Sequence, residues 1–190
     1  MKDERIHAAL NLKISRERVG IEVGKMMTGR NPPFAFQLIH EMSLYGTVFL
    51  EPCSDQLRDA LGDVLPKQEP TSPWPSVWPR AFSSFARLQD DSTVLGKELV
   101  DGEEKEYLWL MVAYAPVAGL RRTKRAQAVK AMTEALKATN KASKLLSDAL
   151  KNMDDIVSMV DTVAGGSTAN FSRSTVGVAI RAWGGTWKLQ

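Results

Sequence analysis

The stretch Lys13-Ile14-Ser15-Arg16-Glu17-Arg18-Val19-Gly20-Ile21-Glu22-Val23-Gly24-Lys25-Met26-Met27-Thr28-Gly29 reads as one capped, amphipathic helix. Ser15 is the predicted N-cap, because its hydroxyl can accept from a first-turn backbone N–H that has no partner inside the helix. Val19, Val23, Met26 and Met27 recur at helical spacing and make the predicted core face. Thr28-Gly29 closes the helix. Glu17 falls in the first turn, where a carboxylate complements the helix dipole. Arg18 and Glu22 are i,i+4 neighbours and can pair, a contribution of about 0.2–0.5 kcal/mol if exposed.

The same period extends in both directions. Ile6, Ala9 and Leu10 predict a short helix before the quoted stretch. After it, Asn31 or Pro32 opens a third helix, proline being tolerated in a first turn. Phe34, Leu38, Ile39 and Met42 are its predicted core face, and Gly46 its end. The segment 65–79 carries prolines at 66, 70, 73, 75 and 79 together with Trp74 and Trp78, so it reads as a loop. Its tryptophans either pin it to the core or offer a platform on which bases could stack, and the first reading is preferred. Helical patterns resume at Arg80–Gln89 and Glu103–Tyr114, with Pro116 and Gly119 breaking the second. Two longer helices follow, near Thr123–Ala138 and Ala142–Ala164. Gly165-Gly166-Ser167-Thr168 is a loop, and Ser172 caps a last helix through Trp183, ended by Gly184-Gly185. No run alternates with period two for long. The reading is all-α, a multi-helix array with a Pro/Trp-rich loop.

Composition bounds the function. Of 190 residues, 44% are hydrophobic and 25% charged, ordinary values for a globular chain long enough to bury a core. The longest apolar stretch, Tyr107–Leu120, falls short of the roughly 20 residues a membrane span requires, so it reads as a buried helix and no membrane partner is expected. Met1-Lys2-Asp3-Glu4-Arg5 has no apolar run behind it and does not read as a secretory signal. The single cysteine, Cys53, excludes an intrachain disulfide, and the histidines, His7 and His40, are isolated. Net charge is +3 but unevenly spread: residues 51–106 carry 12 acids against 6 bases, and residues 121–151 carry 9 bases against 2 acids. Such asymmetry suits a polyanion on one side of the molecule.

Chemistry-bearing motifs are missing. Nucleotidyl transfer requires clustered carboxylates around metal ions. Here Asp90-Asp91 and Asp154-Asp155 are adjacent pairs, which on a helix diverge by about 100° and chelate poorly. Asp154-Asp155 reads as a solvated face. The sequence holds no Walker loop, G-x-G-x-x-G or G-x-S-x-G. No catalytic residue and no metal ligand is assigned.

The quoted stretch and its continuation, Arg30-Asn31-Pro32-Pro33-Phe34-Ala35-Phe36-Gln37-Leu38-Ile39-His40, resemble the neck signature (motif E) of class II tRNA nucleotidyltransferases, the CCA-adding enzymes. The pattern K-x-S-x-E-R-x-x-x-E-x-x-K-x-L is met by Lys13, Ser15, Glu17, Arg18, Glu22 and Lys25, with Met27 at the final Leu. The ending from Ser172 through Trp183 and Trp187 is similar in style to fungal members. The resemblance implies a neck-like unit over 1–64, the loop over 65–79, and a body-like unit over 80–190 with a shortened tail. It implies that the catalytic head, which in the family holds Mg²⁺ and reads CTP or ATP, is absent, so no cofactor is expected in this chain. The partners implied are tRNA and that missing head. Lys13, Ser15, Glu17, Arg18, Glu22 and Lys25 would be structural supports, and the setting would be intracellular: cytoplasm, nucleus or mitochondrion. Arg121, Arg122, Lys124, Arg125 and Lys130 are the candidate contacts to tRNA phosphates, against the plainer reading of a solvated basic face. The alternative function is a stand-alone helical RNA-binding or scaffold protein without catalysis.

Overall fold

A computed structural model of the chain describes residues 4–50, 75–89, 92, 96–97, 104–165 and 172–184. Within them it is all-α. The elements are α1 (Glu4–Leu12), α2 (Arg16–Thr28), α3 (Pro32–Glu41), α4 (Tyr45–Phe49), α5 (Trp78–Leu88), α6 (Lys105–Ala113), α7 (Ala115–Ala118), α8 (Arg122–Leu136), α9 (Asn140–Ala164) and α10 (Arg173–Trp183). No helix among the described residues is long and apolar enough to cross a membrane.

Four helix starts follow from side-chain caps. Ser15 accepts from the Arg18 N–H, Asn31 from Phe34, Thr139 from Ala142 and Ser172 from Thr175. Each hydroxyl or amide oxygen satisfies one first-turn donor, a contribution of about 1 kcal/mol. Gly29 does follow α2, but in extended rather than left-handed geometry. The residue that turns the chain after α3 is Ser43, at φ 58°; Gly46 sits inside α4, whose Leu50 N–H donates to its carbonyl. The sequence-based ending at Gly46 is thereby corrected. Pro79 and Pro116 fall in the first turns of α5 and α7, as proline can, and the break expected at Pro116 is present, α6 ending at Ala113.

Seven aromatic side chains make the centre of the core, and Trp78 is its hub. Its ring lies 4.7 Å from Tyr45, 5.0 Å from Phe36, 5.5 Å from Phe49 and 5.6 Å from Phe82, mostly edge to face. Trp109 meets Phe36 at 5.4 Å. Three polar ends are satisfied by backbone: Trp78 Nε1 donates to Val112 O, Tyr45 Oη to Ala113 O and Tyr114 Oη to Phe49 O, whereas the buried Trp109 Nε1 has no partner among the described residues. The two tyrosines clasp α4 to the end of α6, and burial pushes both phenols far above their ordinary ionisation range. Trp78 is fully buried and cannot serve as an external platform for bases. Trp74, residues 65–74, Cys53, Asp90-Asp91, Gly166-Ser167-Thr168, Gly185 and Trp187 lie outside the described residues.

Two predicted faces shift. On α2, Val19, Val23 and Met27 are buried as expected, whereas Met26 is exposed. On α3 the buried side is Phe36, Ile39 and His40; of the expected set only Ile39 is inside, and Phe34, Leu38 and Met42 face outward. The helix is apolar on both sides, so spacing alone leaves its phase undetermined, and docking of Phe36 against Trp78 and Trp109 decides it.

Candidate functional site

Helix α2 carries the signature residues, and its two sides differ. Val19, Val23 and Met27 enter the core. Lys13, Ser15, Glu17, Arg18, Glu22 and Lys25 are all exposed. Glu17 has its carboxyl held below the usual range, first by a backbone hydrogen bond, then by the Ser15 hydroxyl, with a smaller effect from Lys137. The ion pair at Glu22 is made by Lys25, 2.9 Å away, rather than by Arg18 as the i,i+4 spacing suggested. Both partners are largely solvated, so the pair contributes little stability.

The residue that locks α2 in place is Arg16, which the sequence reading left unassigned. Its guanidinium donates from Nε to Ala135 O at 2.8 Å, from Nη1 to Thr47 O at 3.1 Å and from Nη2 to Val48 O at 2.8 Å. These carbonyls belong to the last turns of α8 and α4, where no helical N–H follows to satisfy them and the dipole is negative. One planar fork thus caps two helices at once. The only signal in the sequence was a cation at the first position of a helix, where the dipole disfavours it.

Close approach does the rest. A Cβ on Gly20 would collide with the carbonyl oxygen of Leu136, so α2 and α8 cross backbone to backbone. One turn on, a Cβ on Gly24 would sit 3.3 Å from Glu106 Oε1. Beside this crossing lies a groove of about 400 Å³, lined by Glu17, Ile21, Gly24, Met27, Glu106 and Lys137 among others. Lys141, at the start of α9, sits over the Tyr107 ring, 4.7 Å from its centroid.

The basic segment divides. Arg121, Arg122 and Lys130 are exposed and Lys124 is half-buried. Arg125 is buried: Nε donates to Leu120 O at 2.9 Å, Nη1 to Leu150 O at 3.0 Å and Nη2 to Asp154 Oδ1 at 2.6 Å. It therefore cannot reach a phosphate, which corrects its place among the predicted RNA contacts. Asp154 itself lies on a solvated face, as read, with its side chain 59% exposed, yet it bonds Arg125, whose guanidinium holds that carboxyl below the usual range. A run of cations in sequence cannot show that one of them points inward.

Helices α8 and α9 form an antiparallel hairpin, since Thr133 Oγ1 meets Ser143 Oγ at 2.8 Å while Arg125 meets Leu150 and Asp154. Lys137, left-handed at φ 48°, ends α8, and Thr139 caps α9, so the lysines from 130 to 151 do not share one continuous stripe. The hairpin instead brings Arg122 and Lys151 to one groove of about 200 Å³ with Val129 and Ser147. Among the described residues, no three His, Cys, Asp or Glu side chains group closely enough to hold a metal ion.

No protein-family model matches the chain, and no solved structure matches it. It is 28% identical to a nucleotidyltransferase of Purpureocillium lilacinum over 209 aligned positions, which cover 96% of this chain and 33% of that protein. It is 47% identical over 49 residues to the mitochondrial CCA tRNA nucleotidyltransferase of Saccharomyces cerevisiae, covering 26% of this chain and 9% of the enzyme. A tRNA nucleotidyltransferase of Schizosaccharomyces pombe is 28% identical over 118 residues, 61% of this chain and 21% of that protein. The chain spans a third or less of the length of each of these relatives. Along these partial stretches it is similar to nucleotidyltransferases, CCA tRNA nucleotidyltransferases among them.

Proposed function

We propose that this chain is the helical neck and body of a CCA-adding tRNA nucleotidyltransferase of class II, fungal type, with residues 1–64 as the neck-like unit and 80–190 as the body-like unit. The observation that carries the reading is α2. With the turn that leads into it, it presents Lys13, Ser15, Glu17, Arg18, Glu22 and Lys25 outward while Arg16 and Gly20 fasten its other side to α4 and α8. A rigidly mounted helix with a charged outer face is suited to brace a neighbouring nucleotide-reading element. Two of the named relatives are tRNA nucleotidyltransferases, and their substrate is carried to this chain by that likeness. Mg²⁺, CTP and ATP would be held by a catalytic head. The described residues do not form a site for a divalent ion, so no catalytic step is assigned to them. The working compartment would be cytoplasm, nucleus or mitochondrion.

The tRNA-facing surface is the outer part of the basic segment, the exposed Arg121, Arg122 and Lys130 with the half-buried Lys124, and Arg125 acts beneath it through the fold. Phosphate contacts release counterions and carry little sequence information. Replacing those four cations with Glu should weaken binding to all tRNAs alike and flatten its dependence on salt, while circular dichroism stays native. Equal affinities for the parent chain and the variant at two salt concentrations would remove tRNA from this surface.

A further inference from the structure

The far end of the hairpin leaves an apolar face uncovered. Beyond Leu150, residues 151–164 of α9 bury no side chain, and neither does α10. Val157, Val160 and Val163 on α9 are 47%, 59% and 45% exposed, and Val178 on α10 is 61% exposed. At 100° per residue Met153, Val157, Val160 and Ala164 fall within about 60° of one another, so they make a continuous ridge. Between that ridge and the end of α7 lies an open hollow of about 690 Å³, walled by Ala118, Gly119, Met153 and Val157, with Asp161 at its rim. Arg125 and Asp154 line it too, bonded to each other, and the Asp154 side chain is 59% exposed. Asp154 and Asp161 are thus the acids of the hollow, and since Asp154 is already engaged by Arg125, Asp161 is the one left to meet an incoming cation.

An occupant must bring an apolar ridge with a cation beside it. Helix α10 has that shape: Val178 and Ala182 lie within about 40° of each other, and Arg181 flanks them at about 60°. It holds Arg173 and Arg181 and no acid. Its Val178 side is exposed and, among the described residues, none of α10 lines the hollow, so α10 does not fill the hollow of its own chain. We infer that this face joins two copies of the chain, α10 of each copy seated in the α7–α9 hollow of the other, with Arg181 of one copy beside Asp161 of its partner. Ridge and hollow are on the same molecule, so a single two-fold axis can make both contacts together, the self-complementary arrangement of most homodimers. Burial of the valines drives the association, and the two charge pairs fix its register.

Sedimentation velocity on the full chain from micromolar to millimolar concentration tests this, and it is independent of tRNA binding. A monomer–dimer equilibrium is expected. Val178→Glu and Val157→Glu, both at solvent-exposed positions, should leave the melting curve in place and abolish the dimer. Asp161→Arg should weaken the dimer by roughly tenfold or more, since it sets like charges together. Adding Arg181→Asp to Asp161→Arg should restore it. A monomer at every concentration would overturn the proposal, and so would a dimer that ignores Val178→Glu or a charge swap that fails to rescue.

Discussion

At the scale of single residues, two arginines that look alike in sequence behave as internal staples. Arg16 gives three hydrogen bonds to carbonyls at the ends of α4 and α8, and Arg125 joins Leu120, Leu150 and Asp154. Loss of a charged donor strands its acceptors, so the cost exceeds that of an ordinary surface change. Arg16→Met should therefore destabilise the chain by about 2–4 kcal/mol, read as a lower urea midpoint. Arg16→Lys should recover only part of this, because an ammonium cannot span three carbonyls as a planar fork does. An Arg16→Met protein as stable as the parent would mean that water satisfies those carbonyls equally well. The signature residues Ser15, Glu17 and Glu22, by contrast, lie in solvent and act locally, as a cap, a dipole partner and one half of the pair with Lys25.

At the scale of elements, the contact of α2 with α8 decides how the parts sit together. Gly→Ala inside a helix is ordinarily stabilising by up to about 1 kcal/mol. At Gly20 the sign should reverse: the added methyl meets the backbone of Leu136, which cannot rotate away, so Gly20→Ala should cost about 1–3 kcal/mol. Gly24→Ala is the control, since its methyl meets only the tip of the Glu106 side chain and should be neutral or better. Thermal melts of the two variants check this, and equal shifts would remove the close crossing. Much of this level was legible from the sequence. Ser15, Asn31 and Ser172 act as caps where their spacing put them, and Val19, Val23 and Met27 line the buried side of α2. The phase of α3 was not legible, because Phe34-Leu38-Met42 and Phe36-Ile39-His40 are equally good helical stripes and the choice is made by Trp78, 42 residues further on than Phe36. The candidate site was legible in outline only. Periodicity reports which face is apolar, but not that Arg125 turns inward or that a hairpin sets Arg122 beside Lys151.

At the scale of the whole molecule, the apolar core draws on both sides of the Pro/Trp-rich segment. Val19, Phe36 and Phe49 precede it, and Phe82, Trp109, Met132 and Leu150 follow it in the same cluster. Trp78, at the end of that segment, touches Phe36, Tyr45, Phe49 and Phe82 together and donates to Val112 O. Neither sequence half can therefore lose its packing without exposing the other's aromatic surface. The expected outcome is one cooperative unfolding transition, with helix content by circular dichroism and tryptophan fluorescence falling together. Trp78→Ala should lower the stability of that single transition by about 3–5 kcal/mol, because it removes a large ring from a packed centre and leaves a cavity. Residues 151–164 and α10 lie outside this core, so Val157→Glu and Val178→Glu should leave the transition unmoved. Two separated transitions, one for each side of residues 65–79, would show that the neck-like and body-like units fold independently and that the Trp78 cluster is a contact between them rather than their common centre.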